Sequence, residues 1–213
     1  MDDVQQAWHL EVMSAGLFET ADRITAFDVL RDFYLAGGTA LALQLGHRRS
    51  IDLDFFTSQP FSEDVLIGTL QAMSEFSVVS RASQTLHLHI SGAKISLFGY
   101  PYPLLFPLRN FRALAVADER DIGCMKISAL AGRGTRRDFV DLYFIAQRHG
   151  FEPVLDMFKR KFATANYSMV HIRKSLAYFA DAESEPMPDM LVPASWPAIR
   201  QFFENAVRKL QDR

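Results

Sequence analysis

Apolar and polar positions follow two different rhythms along this chain, and the change between them falls near residue 116. In the first half the runs are short and of strand type. Phe33-Tyr-Leu-Ala36 is a continuous apolar run suited to a buried strand. In Ser50-Ile-Asp-Leu-Asp-Phe-Phe56 the residues alternate, so on a strand Asp52 and Asp54 project from one face while Ile51, Leu53 and Phe55 project from the other. Phe76 to Ser80, Thr85 to Ile90 and Lys94 to Phe98 read as successive strands, with Ser91-Gly92-Ala93 as a tight hairpin turn. Tyr100-Pro-Tyr-Pro103 is stiff and extended and ends the sheet pattern. Two helical stretches flank these strands: one from about Val4 to Ala26, in imperfect phase, and one capped by Ser62 that runs to about Met73.

In the second half apolar residues recur at helical intervals. The pattern predicts helices over Asp118 to Gly132, Thr135 to about His149, Glu152 to Phe162, Met169 to about Ala180 and Ala198 to Leu210. The acidic, proline-broken stretch from Asp181 to Pro188 reads as a connector. The expectation is an α+β chain: a small mixed-sheet core over residues 1–116, followed by a helical, bundle-like half over 117–213.

With 213 residues and 49% hydrophobic composition, the chain is long enough to bury a substantial core. It has no apolar run of membrane-spanning length and no basic-plus-apolar leader pattern, so a cytoplasmic location is expected. A single cysteine, Cys124, excludes an internal disulfide and a thiolate zinc cluster; its apolar helical setting makes it a core residue. The net charge of −2 argues against broad, non-specific nucleic-acid binding. Local basic clusters remain at Arg48-Arg49, Arg136-Arg137 and Lys159-Arg-Lys161, as cleft linings or as solvated helix ends.

The chemistry concentrates between residues 33 and 56. Gly37-Gly38 permits a sharp turn out of the first strand, Thr39 can cap the helix that follows from Ala40 to about Leu45, and Gly46 closes it. A strand leading through two glycines into a helix N-terminus presents backbone N–H groups to phosphate oxygens, although a glycine pair is also a plain turn. Asp52 and Asp54, about 7 Å apart on one strand face, can converge on a hard cation, or can form a solvated acidic face. One short helix suffices to return the second strand beside the first, setting the carboxylates next to the turn. His87 and His89 share a face of their own strand, as possible neighbours of the carboxylates or as part of a polar outer face. In the helical half, Lys126 lies on the first helix, and Asp138 and Asp141, three apart, share a face of the second.

Gly37-Gly38-Thr39 followed by Asp52-Leu-Asp54 resembles the signature of the DNA polymerase β-like nucleotidyltransferases. The fuller string Leu-Ala-Gly-Gly-Thr-Ala-Leu-Ala-Leu, with Gly46-His-Arg and Asp-Leu-Asp-Phe-Phe, is similar to the AbiEii/AbiGii toxin branch. The likeness extends through Tyr-Pro-Tyr-Pro, Lys126, Arg133 and Arg137-Asp138-Phe-Val-Asp141-Leu to Trp196. It implies that Asp52 and Asp54 hold Mg²⁺ or Mn²⁺. It also implies that Gly37, Gly38, Thr39, Arg48 and Lys126 hold a nucleoside triphosphate, and that Asp138 and Asp141 complete the catalytic set. The implied partners are an acceptor hydroxyl, with tRNA ends first among candidates, and an antitoxin protein.

The resemblance breaks at one position. Polymerase β-like enzymes usually carry a third carboxylate on a later strand, and the matching segment here is Ala93-Lys-Ile-Ser-Leu-Phe98, with Ser96 in that place. Either one of the later aspartates closes the site, or one metal suffices, or the protein is a catalytically lapsed binding module of the same fold.

Overall fold

The computed structural model describes residues 7–211. The chain forms two compact units, one comprising the described residues up to Pro103 together with Pro107–Asp118, the other Leu104–Phe106 and everything from Glu119 onward.

The first unit is built on a mixed seven-stranded sheet in the order β3-β4-β5-β2-β1-β7-β6. Its strands are β1 (Tyr34–Ala36), β2 (Asp52–Thr57), β3 (Ser77–Ala82), β4 (Thr85–Ile90), β5 (Ala93–Gly99), β6 (Arg109–Phe111) and β7 (Leu114–Val116). β1 runs antiparallel to β2 and parallel to β7, whereas β2 runs parallel to β5. One face of the sheet carries Leu35, Leu53, Phe55, Leu88, Ile95 and Leu97, all buried. Helix α2 (Gly37–Leu45) packs on β1 and β2, and α1 (Ala15–Ile24) reaches β5. Helix α3 (Glu63–Leu70) adds Leu66 and Leu70 to the core. Ser62 caps it, accepting from the Val65 N–H, and it ends one turn before Met73.

Several sequence expectations change here. The helix expected over Val4 to Ala26 is a short 3-10 turn at Leu10–Val12 followed by α1; positions 4–6 lie outside the described residues. Ile51 does not join Leu53 and Phe55 in the core: it precedes the strand and is 66% exposed. β6 and β7 are three residues each, too short for alternation to announce them, and they extend the sheet beyond β1.

The helical unit contains α4 (Glu119–Gly132), α5 (Arg136–His149), α6 (Phe151–Lys161), α7 (Met169–Ser175), α8 (Ala180–Glu183) and α9 (Trp196–Gln211). The helix expected from Met169 to Ala180 breaks after Ser175, and the stretch read as a pure connector opens with α8. Its core is aromatic: Phe139 lies 5.0 Å from Phe179, 5.3 Å from Phe203 and 5.8 Å from Trp196, ring centre to ring centre. At the crossing of α4 with α5 and α6, Gly123 leaves only 3.0 Å between the place of an added Cβ and Ile145, so the helices approach where a side chain is missing. No helix among the described residues is long and apolar enough to cross a membrane.

Candidate functional site

The turn after β1 is made by Gly37 in the left-handed region, at φ +68°. Helix α2 begins at Gly37 itself, earlier than the sequence suggests, and Ala36 at its N-cap supplies no side-chain hydrogen bond. Thr39 is therefore not the cap. Its hydroxyl donates to the Asp52 carbonyl and shares a 2.7 Å hydrogen bond with the Ser50 hydroxyl, tying the first turn of α2 to the start of β2. Gly46, at φ +64°, closes the helix as expected.

β2 returns antiparallel to β1 with Ala36 opposite Asp54, which brings the carboxylates to the glycine turn. The approach is close: a Cβ on Gly37 would stand 2.7 Å from Asp54 Oδ2, and one on Gly38 would run into the Arg48 guanidinium. Only glycines allow both contacts. Asp52 and Asp54 are half-buried on one face of β2, alternating with buried Leu53 and Phe55, as the sequence pattern predicts. Arg48 is itself buried at 3% exposure and donates to the Arg49 carbonyl at 3.0 Å. The corner thus combines an uncapped helix N-terminus, a buried guanidinium and two carboxylates. Its chemistry suits an anion on one side and a hard cation on the other.

The neighbouring strands bring in Ser96 and His87, which the sequence singles out, and Lys94, which it does not. In the parallel β2/β5 register Asp52 is opposite Lys94 and Asp54 is opposite Ser96. Lys94 and Ser96 alternate with buried Ile95 and Leu97, so they share the face of the two carboxylates. One strand further, Ser96 faces His87 across the β4/β5 ladder, with Oγ 3.2 Å from Nδ1. Beside them Phe56 and Phe98 stack with ring centres 5.0 Å apart, and Tyr100 meets Phe56 in a T-shaped contact, centres 5.5 Å apart.

Lys126, Asp138 and Asp141 form a separate cluster inside the helical unit. Lys126, 8% exposed, bridges Asp138 Oδ1 at 2.8 Å and Asp141 Oδ2 at 2.7 Å, and Asp141 is wholly buried. Thr135, the N-cap of α5, bonds the Asp138 side chain and accepts from its backbone N–H at 3.3 Å. The lysine is thus buried between two carboxylates, not solvated on a helix surface. Of the basic clusters, Lys161 proves to be neither cleft lining nor solvated helix end: it is fully buried, 2.7 Å from Asp121. Asp121 also accepts from the Leu105 and Phe106 N–H groups, both at 3.0 Å. Cys124, between these groups on α4, is fully buried, and its thiol is pushed up to about 12, first by desolvation and then by the Asp121 carboxylate.

Comparison with known proteins identifies the family and the fold. Residues 22–212 match the family described as nucleotidyl transferase AbiEii toxin, Type IV TA system. An uncharacterised protein of Aquifex aeolicus (strain VF5) is 35% identical over 197 residues, which span 90% of this chain and 94% of that one. Among solved structures, MenT4, a nucleotidyltransferase toxin from Mycobacterium tuberculosis H37Rv, is similar with a TM-score of 0.58 at 17% identity, covering 94% of this chain and 86% of that one. At that identity the likeness speaks for the fold.

Proposed function

Because the chain belongs to the AbiEii family of nucleotidyl transferase toxins, we propose that it transfers a nucleoside monophosphate from a nucleoside triphosphate to an acceptor hydroxyl at the corner formed by β1, α2 and β2. The single observation carrying this reading is the direct abutment of the Gly37 backbone on Asp54 and of Gly38 on Arg48. Phosphate and cation chemistry are thereby within reach of one bound molecule.

The donor set fits a hard divalent ion. Asp52 and Asp54 offer carboxylate oxygens from one strand face, and among the described residues no third His, Cys, Asp or Glu joins them as a cluster. Mg²⁺ or Mn²⁺ commonly takes one or two carboxylates and fills its remaining positions with phosphate oxygens and water. Such an ion, when bound, supplies charge neutralisation and polarisation at the phosphates. The protein's own groups do the rest. The N–H groups of Gly37, Gly38 and Thr39, at the positive end of α2, receive phosphate oxygens, and Arg48 offsets negative charge that grows as pyrophosphate departs. Lys126, steadied by Asp138 and Asp141, is assigned a further phosphate contact on the strength of the family resemblance.

The acceptor we put first is a tRNA end, and the setting is the cytoplasm, where triphosphates and tRNA coexist. An antitoxin protein is the expected regulatory partner, as in toxin-antitoxin pairs generally.

The test is calorimetric titration of Mg²⁺ with each nucleoside triphosphate into wild type and into the Asp52→Ala, Asp54→Ala protein. Metal-dependent binding should be present in the first and lost in the second, with thermal melting unchanged within a few degrees. Equal binding by both proteins would remove the site from this corner.

A further inference from the structure

We propose that Ser96 and His87 stand in for the missing third carboxylate as a two-step proton relay, in which the Ser96 hydroxyl takes the acceptor's proton while passing its own to His87 Nδ1. The inference rests on the nucleotidyl-transfer reading above and specifies how the attacking hydroxyl is activated.

The geometry is set by strand register. Asp54, Ser96 and His87 occupy one cross-strand row of β2, β5 and β4, each directly opposite the next. Adjacent strands lie about 4.8 Å apart, so Ser96 is the immediate neighbour of Asp54 and His87 is one strand removed. An imidazole at that distance cannot touch an acceptor held at the carboxylates, but a hydroxyl between them can. Ser96 Oγ is 3.2 Å from His87 Nδ1, the long side of a hydrogen bond, as is common for relays without bound substrate. The relay uses the tautomer with its proton on Nε2, so that Ser96 donates to Nδ1. The Phe98 ring, centred 5.4 Å from the imidazole centre and nearly perpendicular to it, holds it from the side.

The alternatives on this face are less well placed, both lying exposed in the next row. Lys94 is opposite Asp52, and His89 is opposite Lys94. β3 presents Ser80 across from His87, a neutral group. The charged or titratable groups on this face near His87 include Lys94 on β5, His89 on β4, Asp52 and Asp54 on β2, and Tyr100 just past β5.

In the step itself the acceptor oxygen forms a bond to the α-phosphorus while the bond from that phosphorus to pyrophosphate breaks. The acceptor proton moves to Ser96 Oγ, the Ser96 proton moves to His87, and pyrophosphate carries away the electron pair. His87 ends as an imidazolium and returns its proton to water. Ser96, which meets the acceptor, is the catalytic residue, and His87 is a positioning residue that acts through it.

Transfer from each labelled triphosphate to total tRNA is measured between pH 5 and 9 for wild type, Ser96→Ala, His87→Asn, Ser96→Asp and the Ser96→Asp, His87→Asn double variant. Wild-type kcat should fall on the acid side of its pH profile, with KM for the triphosphate unchanged. His87→Asn and Ser96→Ala should lose roughly 10²- to 10⁴-fold in kcat and lose that acid limb, at unchanged Mg²⁺-triphosphate affinity by calorimetry. Ser96→Asp should make His87 dispensable, so the double variant recovers at least about tenfold over His87→Asn, a rescue that damage to folding would not give. Wild-type kcat and an intact acid limb in His87→Asn would overturn the relay while leaving the nucleotide site in place. A gain in mass equal to one nucleotide on Ser96 would overturn it too, making that hydroxyl the acceptor. Loss of the site itself would show differently, as triphosphate binding indifferent to Asp52→Ala.

Discussion

Gly37 and Cys124 illustrate what a single position contributes here. Gly37 combines a left-handed backbone with a neighbour that would strike any Cβ, so two independent reasons, a conformational one of about 1–2 kcal/mol and a steric one, confine the site to glycine. Cys124 is chemically silent for the opposite reason, being enclosed. Its thiol is raised from 9.0 to about 12 in the folded protein, chiefly by desolvation. The sign follows from the raised value: the stabilisation is fully present below about pH 9 and is lost as pH rises toward 12, because only the unfolded chain ionises in that interval. We expect the unfolding free energy of wild type, measured by urea denaturation, to fall with pH above 9 more steeply than that of Cys124→Ala. The difference should approach about 1.4 kcal/mol per pH unit. Parallel curves would place the thiol in contact with water.

Among the elements, α4 anchors three buried ion pairs: Lys126 with Asp138 and with Asp141, and Asp121 with Lys161. Removing one partner of a buried pair costs about 3–5 kcal/mol, so Lys126→Met should lower stability by roughly that amount through the carboxylates left behind. The check is a shift of the urea midpoint at constant m-value; a loss below about 1 kcal/mol would mean that the cluster is well hydrated. A drop in triphosphate affinity with this variant is then informative only if it is measured well below its melting temperature. These pairs also mark where the sequence became hard to read. That Asp138 and Asp141 share a helix face follows from their spacing, but their joint partner on α4, and the pairing of Asp121 with Lys161 forty residues on, depend on how α4, α5 and α6 cross. The β4/β5 hairpin is the opposite case. Ser91 and Gly92 both take positive φ, as a two-residue turn of this kind requires, and pairing Ile90 with Ala93 then forces His87 opposite Ser96. Reading the turn as three residues was enough to miss that pair. Thr39 was misread because a hydroxyl after two glycines looks like a cap, while its actual partners, Ser50 and Asp52, arrive from the next strand.

Across the whole molecule, the candidate corner is assembled within the sheet unit alone, from residues 37 to 54, and its strand-helix-strand logic was legible because every step is local. β6 and β7 were not, since their pairing with β1 is set by the sheet and not by their own three residues. The chain does not pass once from one unit to the other. It leaves the first unit after Pro103, contributes Leu104–Phe106 to the second, returns for Pro107–Asp118, and only then continues into the helices. What holds the short excursion is Asp121, whose carboxylate accepts from the Leu105 and Phe106 amides while it pairs with Lys161. In genetic terms the helical unit is therefore not a cassette. A gene fragment encoding 119–213 would keep the Asp121–Lys161 pair but lose two of the amide donors that satisfy it, so the fragment should melt well below the full chain by circular dichroism. Supplying a peptide covering 104–106 with its flanks should raise the melting point again. Recombination between relatives at a single crossover near residue 118 would draw 104–106 and the helices they pack with from different parents, so exchanging the helical unit whole takes three breakpoints, after residues 103, 106 and 118.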